Sequence, residues 1–280
     1  MIYLDNAATT KVSEEVFAAI KPFFCEQYAN PSAIYSFAGK SMKAVDEARH
    51  QTADLIGADA KEIYFTAGGS EADNWAIKAA AEAYQNKGKH IITSVIEHHA
   101  VLHTCQYLEK QGFEVTYIQV DEYGRVKLDE LEQAIRPDTI LISIMAANNE
   151  IGTIQPIQEI GALARKHGIL FHTDAVQAYG HIPMNVDEMN IDLLSASGHK
   201  LYAPKGAGLL YIRKNVRIGA YLHGGAQERG RRAGTHNTPG IVGFGAAAKA
   251  AAEKMAENAE KETVLRDYLI QRVLKEIPYS

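Results

Sequence analysis

The stretch "TILISIMAANNEIGTIQPIQEIGALARKHGILFHTD" (139–174) decides the fold class. It begins with an apolar run, "TILISIM" (139–145), continues through a helical pattern, "PIQEIGALARKHG" (156–168), and ends in a second apolar run, "ILFHTD" (169–174). Buried parallel strands have continuous apolar runs of this kind, because helices cover both faces of their sheet. The stretch therefore predicts a strand–helix–strand unit of an α/β fold.

The same alternation extends in both directions from this unit. Five further strand-like runs are "EIYFT" (62–66), "HIITSVI" (90–96), "EVTYIQV" (114–120), "IDLLSAS" (191–197) and "GAGLLYIR" (206–213). Further helical patterns cover residues 14–24, 40–55, 70–84, 99–110 and 128–135. We expect a mainly parallel, seven-stranded sheet with helices on both faces.

A last helical pattern runs from about Pro239 to Ile277, and its second half carries an apolar stripe at Leu265, Leu269, Val273 and Ile277. A stripe of this kind requires a partner surface. Either another chain supplies that surface, or a C-terminal domain does. We favour the second interpretation, because an uncovered stripe promotes aggregation. The expectation is a C-terminally truncated chain whose small C-terminal domain is mostly absent.

Composition and charge argue against several classes of function. The 280 residues include 29 basic and 34 acidic side chains and no long basic run, which argues against nucleic acid or an anionic membrane as partner. Only two cysteines are present, Cys25 and Cys105, so we expect neither a disulfide framework nor a metal site. The start, "MIYLDNAATT", has no signal-peptide pattern, and no apolar stretch is long enough to cross a membrane. We expect a cytoplasmic protein.

Three groups that follow predicted strands suit one cofactor. In "TAGGSEADN" (66–74), Gly68 and Gly69 allow close approach of an anion to the first amides of a helix, although a simple helix start has the same pattern. Asp174 ends an apolar strand, where it is either a ligand-binding acid or a helix cap. Lys200 also lies just past a strand. Together they match pyridoxal 5'-phosphate (PLP), which needs a Schiff-base lysine, an acid for its ring nitrogen and a phosphate site.

Eight ordered stretches, spread over almost the whole chain, resemble the NifS/IscS-type cysteine desulfurases, which are fold-type I PLP enzymes of the class V aminotransferase-like group. These stretches are "YLDNAATT" (3–10), "NPSAIYSFAG" (30–39), "FTAGGSEADN" (65–74), "EHHAVL" (97–102), "NNEIGTIQPI" (148–157), "HTDAVQ" (172–177), "SGHKLYAPKG" (197–206) and "ERGRRAGT" (228–235). The resemblance implies a PLP-binding large domain at 15–258, an N-terminal segment at 1–14 associated with the small domain, and a linker helix at 259–280.

The resemblance also implies a role for each matching residue around the PLP ring. Lys200 would carry PLP as a Schiff base and Asp174 would pair with the pyridinium nitrogen. Gln177 would bond the phenolic oxygen and Asn149 would lie beside the ring, although a plain turn also explains Asn149. His98 would stack on the ring and transfer protons, or it is only a polar helix start.

A second group of matching residues would bind the phosphate. The resemblance assigns this role to Gly69, Ser70, Ser197 and His199, although His199 alternatively only satisfies backbone groups beside the lysine. Thr235 matches the family's threonine that reaches the phosphate in the neighbouring subunit's site. That match implies a homodimer.

The implied activity is the conversion of L-cysteine to L-alanine, with sulfur carried as a persulfide of an enzyme cysteine. The sulfur would pass to acceptor proteins such as an iron–sulfur scaffold, or to tRNA thiolation. The family's catalytic cysteine and its substrate-binding arginine have no counterpart here, since Cys25 matches the N-terminal region and Cys105 reads as a core residue. We therefore expect this chain to be inactive as it stands. The alternatives are a selenocysteine or cystine lyase and a non-catalytic PLP-binding dimerisation module.

Overall fold

The computed structural model describes residues 2–279. The strands are β1 (Ile63–Thr66), β2 (His90–Ser94), β3 (Glu114–Ile118), β4 (Thr139–Ser143), β5 (Leu170–Asp174), β6 (Leu193–Ser197) and β7 (Gly208–Ile212). The α-helices are α1 (Glu14–Ile20), α2 (Pro22–Cys25), α3 (Ser36–Asp54), α4 (Gly69–Tyr84), α5 (His99–Glu109), α6 (Leu128–Ala134), α7 (Ile157–His167) and α8 (Thr238–Glu276). Each strand falls within one of the seven apolar runs.

The seven strands form one sheet in the order β1-β7-β6-β5-β4-β2-β3. The pairs from β6 through β5, β4 and β2 to β3 are parallel, and β7 is antiparallel to both of its neighbours, β1 and β6. Because β1 and β6 both oppose β7, they point the same way, and the carboxyl ends of six strands meet at one edge. The mainly parallel, seven-stranded sheet expected from the sequence is confirmed.

Helices cover both faces of the sheet and bury every residue of most strands. Phe65 and Leu209 face a core formed with helices α1, α3, α6, α7 and α8, whereas their neighbours Tyr64 and Leu210 face a core formed with α4 and α5. A strand that is buried on both faces needs apolar residues at successive positions. The continuous apolar runs follow from this arrangement.

Two helix boundaries differ from the sequence expectation. The pattern at 14–24 is two helices, because Pro22 has no amide hydrogen to continue the hydrogen bonding of α1 and instead takes the first position of α2. Helix α3 begins at Ser36 rather than at residue 40, so it includes the aromatic Phe37.

The long C-terminal pattern forms the 39-residue helix α8. Asn237 caps its start by accepting a hydrogen bond of 3.2 Å from the amide of Gly240, and its buried residues end at Ala251. Further along, Leu265 is 67% and Leu269 is 62% exposed. The partner surface for this stripe therefore remains a prediction. Among residues 2–279, no helix has both the length and the hydropathy that crossing a membrane requires.

Candidate active site

A cavity of about 490 Å³ lies at the carboxyl edge of the sheet. Its wall is built from segments that follow β1, β2, β4, β5 and β6, because parallel strands deliver their C-terminal residues to one edge. Nine of the ten residues expected at the site line it: Lys200, Asp174, Gln177, Asn149, His98, Gly69, Ser70, Ser197 and His199. The tenth, Thr235, does not.

Lys200 ends a short 3-10 turn that directly follows β6. Its side chain is half-buried, and its Nζ atom donates hydrogen bonds to the carbonyl oxygens of Ala7 and Ala8, the second at 3.0 Å. Burial lowers the pKa of Lys200, against the opposing charges of Asp174 and Asp5. A lowered pKa favours the neutral amine, which is the nucleophilic form of lysine.

Residues 5–10, which we call the N-terminal strap, run along the cavity beside Lys200. Thr10 anchors the strap: its amide and its hydroxyl both donate to the carbonyl oxygen of His199 at 2.9 Å, and its hydroxyl accepts from the amide of Tyr202 at 2.7 Å. The side-chain amide of Gln177 donates to the carbonyl oxygen of Ala7 at 2.9 Å. The strap is therefore part of the cavity wall.

Asp174 is the last residue of β5 and is 5% exposed. Its Oδ1 atom accepts a hydrogen bond of 2.9 Å from the amide of Val176. Burial raises the pKa of Asp174, while that hydrogen bond and the nearby His98 and Lys200 act to lower it. A buried acid between two basic groups is suited to bind a cationic nitrogen.

The glycine turn before α4 is built to bind an anion. Gly68 has φ 154° and ψ 179°, a backbone conformation that is essentially restricted to glycine. A Cβ atom on Gly69 would lie 2.5 Å from the Cγ2 atom of Val176. No side chain caps α4, and Gly69 and Ser70 of its first turn line the cavity together with Ser197. Free amides and the helix dipole attract a phosphate.

His98 and Asn149 combine a local structural role with a place in the cavity wall. The Nδ1 atom of His98 accepts a hydrogen bond of 3.1 Å from the amide of Ala100, so His98 caps α5 while it lines the cavity. This bond leaves the Nε2 atom as the ring's donor. The turn beside Asn149 is held by Asn148, whose Oδ1 atom accepts from the amide of Glu150 at 2.8 Å. The side chain of Asn149 is therefore not needed to hold this turn.

Sequence analysis missed several residues of the cavity wall. Asp73 and Met145 line it, as do Ala7 and Ala8 of the strap. Asp73 could have been found from helix geometry, because it lies one turn beyond Gly69 and therefore on the same face of α4. The strap could not, because its contribution consists of backbone carbonyl groups.

Neither cysteine of the described chain lines this cavity. Cys25 is exposed at the end of α2. Cys105 is fully buried in α5, and burial raises the pKa of its thiol to about 12. Cys105 is therefore a core residue, as expected, and an unreactive thiol.

Thr235 is exposed and lies beside a second, smaller cavity of about 140 Å³. The loop that carries it is fixed by the buried carboxylate of Glu228. Arg49 donates two hydrogen bonds of 2.7 and 2.8 Å to that carboxylate, the amide of Phe65 donates one of 2.9 Å, and His236 Nε2 contacts it at 2.8 Å. The loop is thus held to α3 and β1 by one charged group.

The donor groups of the main cavity fit PLP. An uncapped helix start with Gly69 offers a phosphate site, buried Asp174 offers a partner for a ring nitrogen, and the amine of Lys200 lies in the same cavity. These are the three groups by which a protein holds this cofactor. A cavity of this size and polarity is also in the range of small-molecule sites.

Comparison with known proteins gives one consistent family. The model of the class-V aminotransferase family matches residues 2–279. The cysteine desulfurase IscS of Methanosarcina thermophila is 60% identical over 274 residues, which is 98% of this chain and 68% of that protein. The cysteine desulfurase IscS of Clostridium botulinum strain Hall is 55% identical over 99% of this chain and 70% of its own length.

Solved structures show the same likeness. A NifS-like protein superimposes with a TM-score of 0.96 at 42% identity, over 98% of this chain and 76% of that chain. A structure described as SspA in complex with cysteine superimposes with a TM-score of 0.87 at 45% identity, over 94% of this chain and 78% of that one. The chain is thus similar to these proteins over almost its whole length.

Proposed function

The chain belongs to the class-V aminotransferase family and, within it, to the PLP-dependent cysteine desulfurases of the IscS and NifS type, and from this premise we propose that it binds PLP and L-cysteine in the cavity at the carboxyl edge of its sheet. One observation carries the proposal: Lys200, Asp174 and the glycine turn at Gly69 line a single cavity. The cysteine-bound relative supports L-cysteine as the substrate.

The ring-binding part of the proposal assigns five residues. PLP, when bound, supplies an electron-withdrawing ring that weakens the bonds around the substrate's α-carbon. Lys200 holds the cofactor through its amine, whose lowered pKa favours this role. Asp174 keeps a proton on the ring nitrogen by its negative charge. His98 would contact the ring and would transfer protons through Nε2, because Nδ1 accepts the hydrogen bond from the amide of Ala100. Gln177 and Asn149 bind beside the ring.

The phosphate-binding part of the proposal uses the other side of the cavity. Gly69 offers its backbone amide, and Ser70 and Ser197 offer hydroxyl groups. His199 shares a hydrogen bond of 3.1 Å with the hydroxyl of Thr9, which fixes its ring at the cavity wall. These donors would bind the phosphate oxygens through hydrogen bonds.

We further propose a homodimer in which Thr235 of one protomer reaches the phosphate in its partner's site. The exposure of Thr235 and its rigid loop support this assignment. Residues 15–258 are then the cofactor-binding domain, residues 1–14 an N-terminal segment associated with the small domain, and residues 259–280 a linker helix. A cytoplasmic location is part of the same proposal, and cell fractionation tests it.

The sulfur acceptor is a thiol from outside the cavity. Because Cys25 and Cys105 do not line the cavity, we expect this chain to be inactive alone and to turn over only when an added thiol takes the sulfur: L-cysteine and one thiol give L-alanine and a persulfide, and a second thiol then releases sulfide and forms a disulfide. In the cell, the proposed acceptors are sulfur-carrier proteins such as an iron–sulfur scaffold. With added thiol, sulfide and alanine should therefore form in equal amounts.

The test is the release of sulfide and alanine from L-cysteine, per bound PLP, with dithiothreitol present. Visible absorption should report bound PLP, and Lys200→Ala should abolish the band while circular dichroism stays unchanged. An unchanged band in that variant would refute the cofactor site. PLP binding without sulfide release, even with thiol, would instead identify a cofactor domain that needs a cysteine from elsewhere. Faster turnover of L-selenocysteine or L-cystine would favour a lyase, since those reactions use no enzyme persulfide.

A further inference from the structure

Asp73 lies in the cavity wall, one turn after the start of α4, and the proposed function assigns it no role. It is 1% exposed, and its Oδ1 atom has no hydrogen-bond partner within residues 2–279. An oxygen of Asp73, an oxygen of Asp174 and a ring nitrogen of His98 all lie within 4.8 Å of one another. Buried polar atoms without a partner are rare in proteins, so this one requires an explanation.

The basic groups near Asp73 do not single it out as the charged acid, since the ring nitrogen of His98 lies within 4.8 Å of both Asp73 and Asp174. On β5, His172 Nε2 lies 3.6 Å from Asp73 Oδ1, but burial lowers the pKa of His172 to about 3, so the ring is neutral. The same nitrogen is hydrogen-bonded to Ser195 of β6 at 3.0 Å. From the segment after β2, Glu97 contributes another acid, whose pKa burial raises to about 8.

The basic groups of the cavity favour a negative charge on Asp174. His98 and Lys200 both lower the pKa of Asp174, whereas burial and the charge of Asp174 raise the pKa of Asp73 well above its ordinary value, against the opposing effect of a hydrogen bond from Ser195. Two adjacent buried carboxyls cannot both ionise without a cation for each. The negative charge therefore resides on the acid that faces the bases.

We propose that Asp73 is a positioning residue: it is a neutral carboxylic acid at neutral pH, it leaves the single negative charge of the pair on Asp174, and its acid group supports the orientation of that carboxylate. A neutral acid is a hydrogen-bond donor, and an oxygen of Asp73 lies within 4.8 Å of an oxygen of Asp174, a distance that one bridging water can span. The proposal rests on the proposed function, because it gives Asp174 the task of binding a cationic ring nitrogen.

The protonation state is tested on the chain without cofactor. An acid with a raised pKa in the folded state holds a proton that the unfolded chain releases, so stability falls as the pH rises above the unfolded value. Asp73→Asn removes this dependence. The ratio of the unfolding constants, wild type over variant, should rise by about tenfold per pH unit from about pH 5 to neutral pH in urea titrations.

The matched control is Asp46→Asn, the same substitution at an exposed position of α3. It should leave the pH dependence of stability unchanged. If Asp73→Asn behaves like this control, or if its effect has the opposite sign, Asp73 is ionised in the folded chain and the proposal is wrong.

The positioning role is tested by PLP affinity, measured by fluorescence titration at several pH values. Asp73→Asn keeps a donor and the shape and should bind PLP within about threefold of wild type. Asp73→Leu keeps only the volume of the side chain and should bind PLP about tenfold more weakly than wild type. This is the affinity that one hydrogen bond to a charged group usually contributes. Equal binding by both variants, or an equal loss, would overturn the positioning role.

The outcomes separate this inference from the proposed function. If wild-type chain does not bind PLP, the proposed function fails, and the stability measurement still decides the protonation of Asp73. If Asp73→Leu does not fold, the comparison of Asp73→Asn with wild type still decides whether a charge is required. A charge requirement would appear as a loss of PLP affinity in Asp73→Asn at neutral pH.

Discussion

Replacing Glu228 by glutamine should destabilise the chain strongly, because this carboxylate pairs with the buried guanidinium of Arg49. The side chains of Glu228 and Arg49 are 2% and 10% exposed and form a bidentate ion pair. Glutamine keeps one acceptor oxygen but places an NH₂ group where the second oxygen accepts hydrogen bonds. Arg49 then retains its contact with the carbonyl of Ile63 but loses its counter-charge.

Two independent arguments give the size of the effect. Burial alone raises the pKa of Glu228, but hydrogen bonds from His236 and Arg49 outweigh burial and lower the pKa to about 2. A carboxyl whose pKa falls that far below its ordinary value contributes about 3 kcal/mol to stability at neutral pH. Breaking a buried ion pair by removing one partner costs about 3–5 kcal/mol. We therefore expect Glu228→Gln to lose about 3 kcal/mol.

Urea unfolding at neutral pH measures this loss, with Glu257→Gln as the control. Glu257 forms an exposed pair with Lys261 along α8, so its substitution should leave stability unchanged. The contribution of a carboxyl with a lowered pKa is present above its unfolded pKa and disappears as the pH falls through its folded pKa. The difference between wild type and Glu228→Gln should therefore shrink as the pH is lowered from about 5 towards 2. A loss below about 1 kcal/mol at neutral pH would refute the reasoning.

Three further predictions concern single positions. A Cβ atom on Gly208 would lie 2.5 Å from the Cα atom of Gly68, so Gly208→Ala should displace the glycine turn and weaken PLP binding at least about tenfold in a fluorescence titration. In a native chain, a disulfide reagent near neutral pH should modify one thiol, that of exposed Cys25, and denaturation should expose Cys105 as a second. Thr10→Val removes the hydroxyl that anchors the N-terminal strap and should speed amide hydrogen exchange in the strap about tenfold, as seen by mass spectrometry.

The sequence predicts the strands well because burial on both faces leaves a continuous apolar run. Such a run reports burial and not direction, so the antiparallel course of β7 could not be obtained from "GAGLLYIR". Pro22 indicates the break between α1 and α2, but the apolar residues continue with helical spacing on both sides of it, so the sequence predicts a single helix. Helix boundaries depend on a single residue in this way, whereas strand positions depend on whole segments.

The candidate site was predictable to the extent that strand ends determine it. Lys200 and Asp174 each follow an apolar strand directly, and parallel strands bring such residues together. Asp73 does not end a strand, and only its position one turn beyond Gly69, on the same face of α4, connects it with the cavity. Ala7 and Ala8 contribute carbonyl oxygens, which every residue has. These contacts exist only after the chain has folded.

None of the residues that line the cavity comes from β7, yet the start of β7 packs against the anion-binding turn. Gly208 is the first residue of β7 and pairs with Thr66 of β1 on one side and Ser197 of β6 on the other. Gly68 follows Thr66 by two residues, and its unusual backbone conformation places the amides at the start of α4. The close approach of Gly208 to Gly68 thus couples strand pairing to the anion-binding turn, since neither strand can shift without moving it. For this reason we expect substitutions behind the turn to alter cofactor affinity as strongly as substitutions that touch the cofactor.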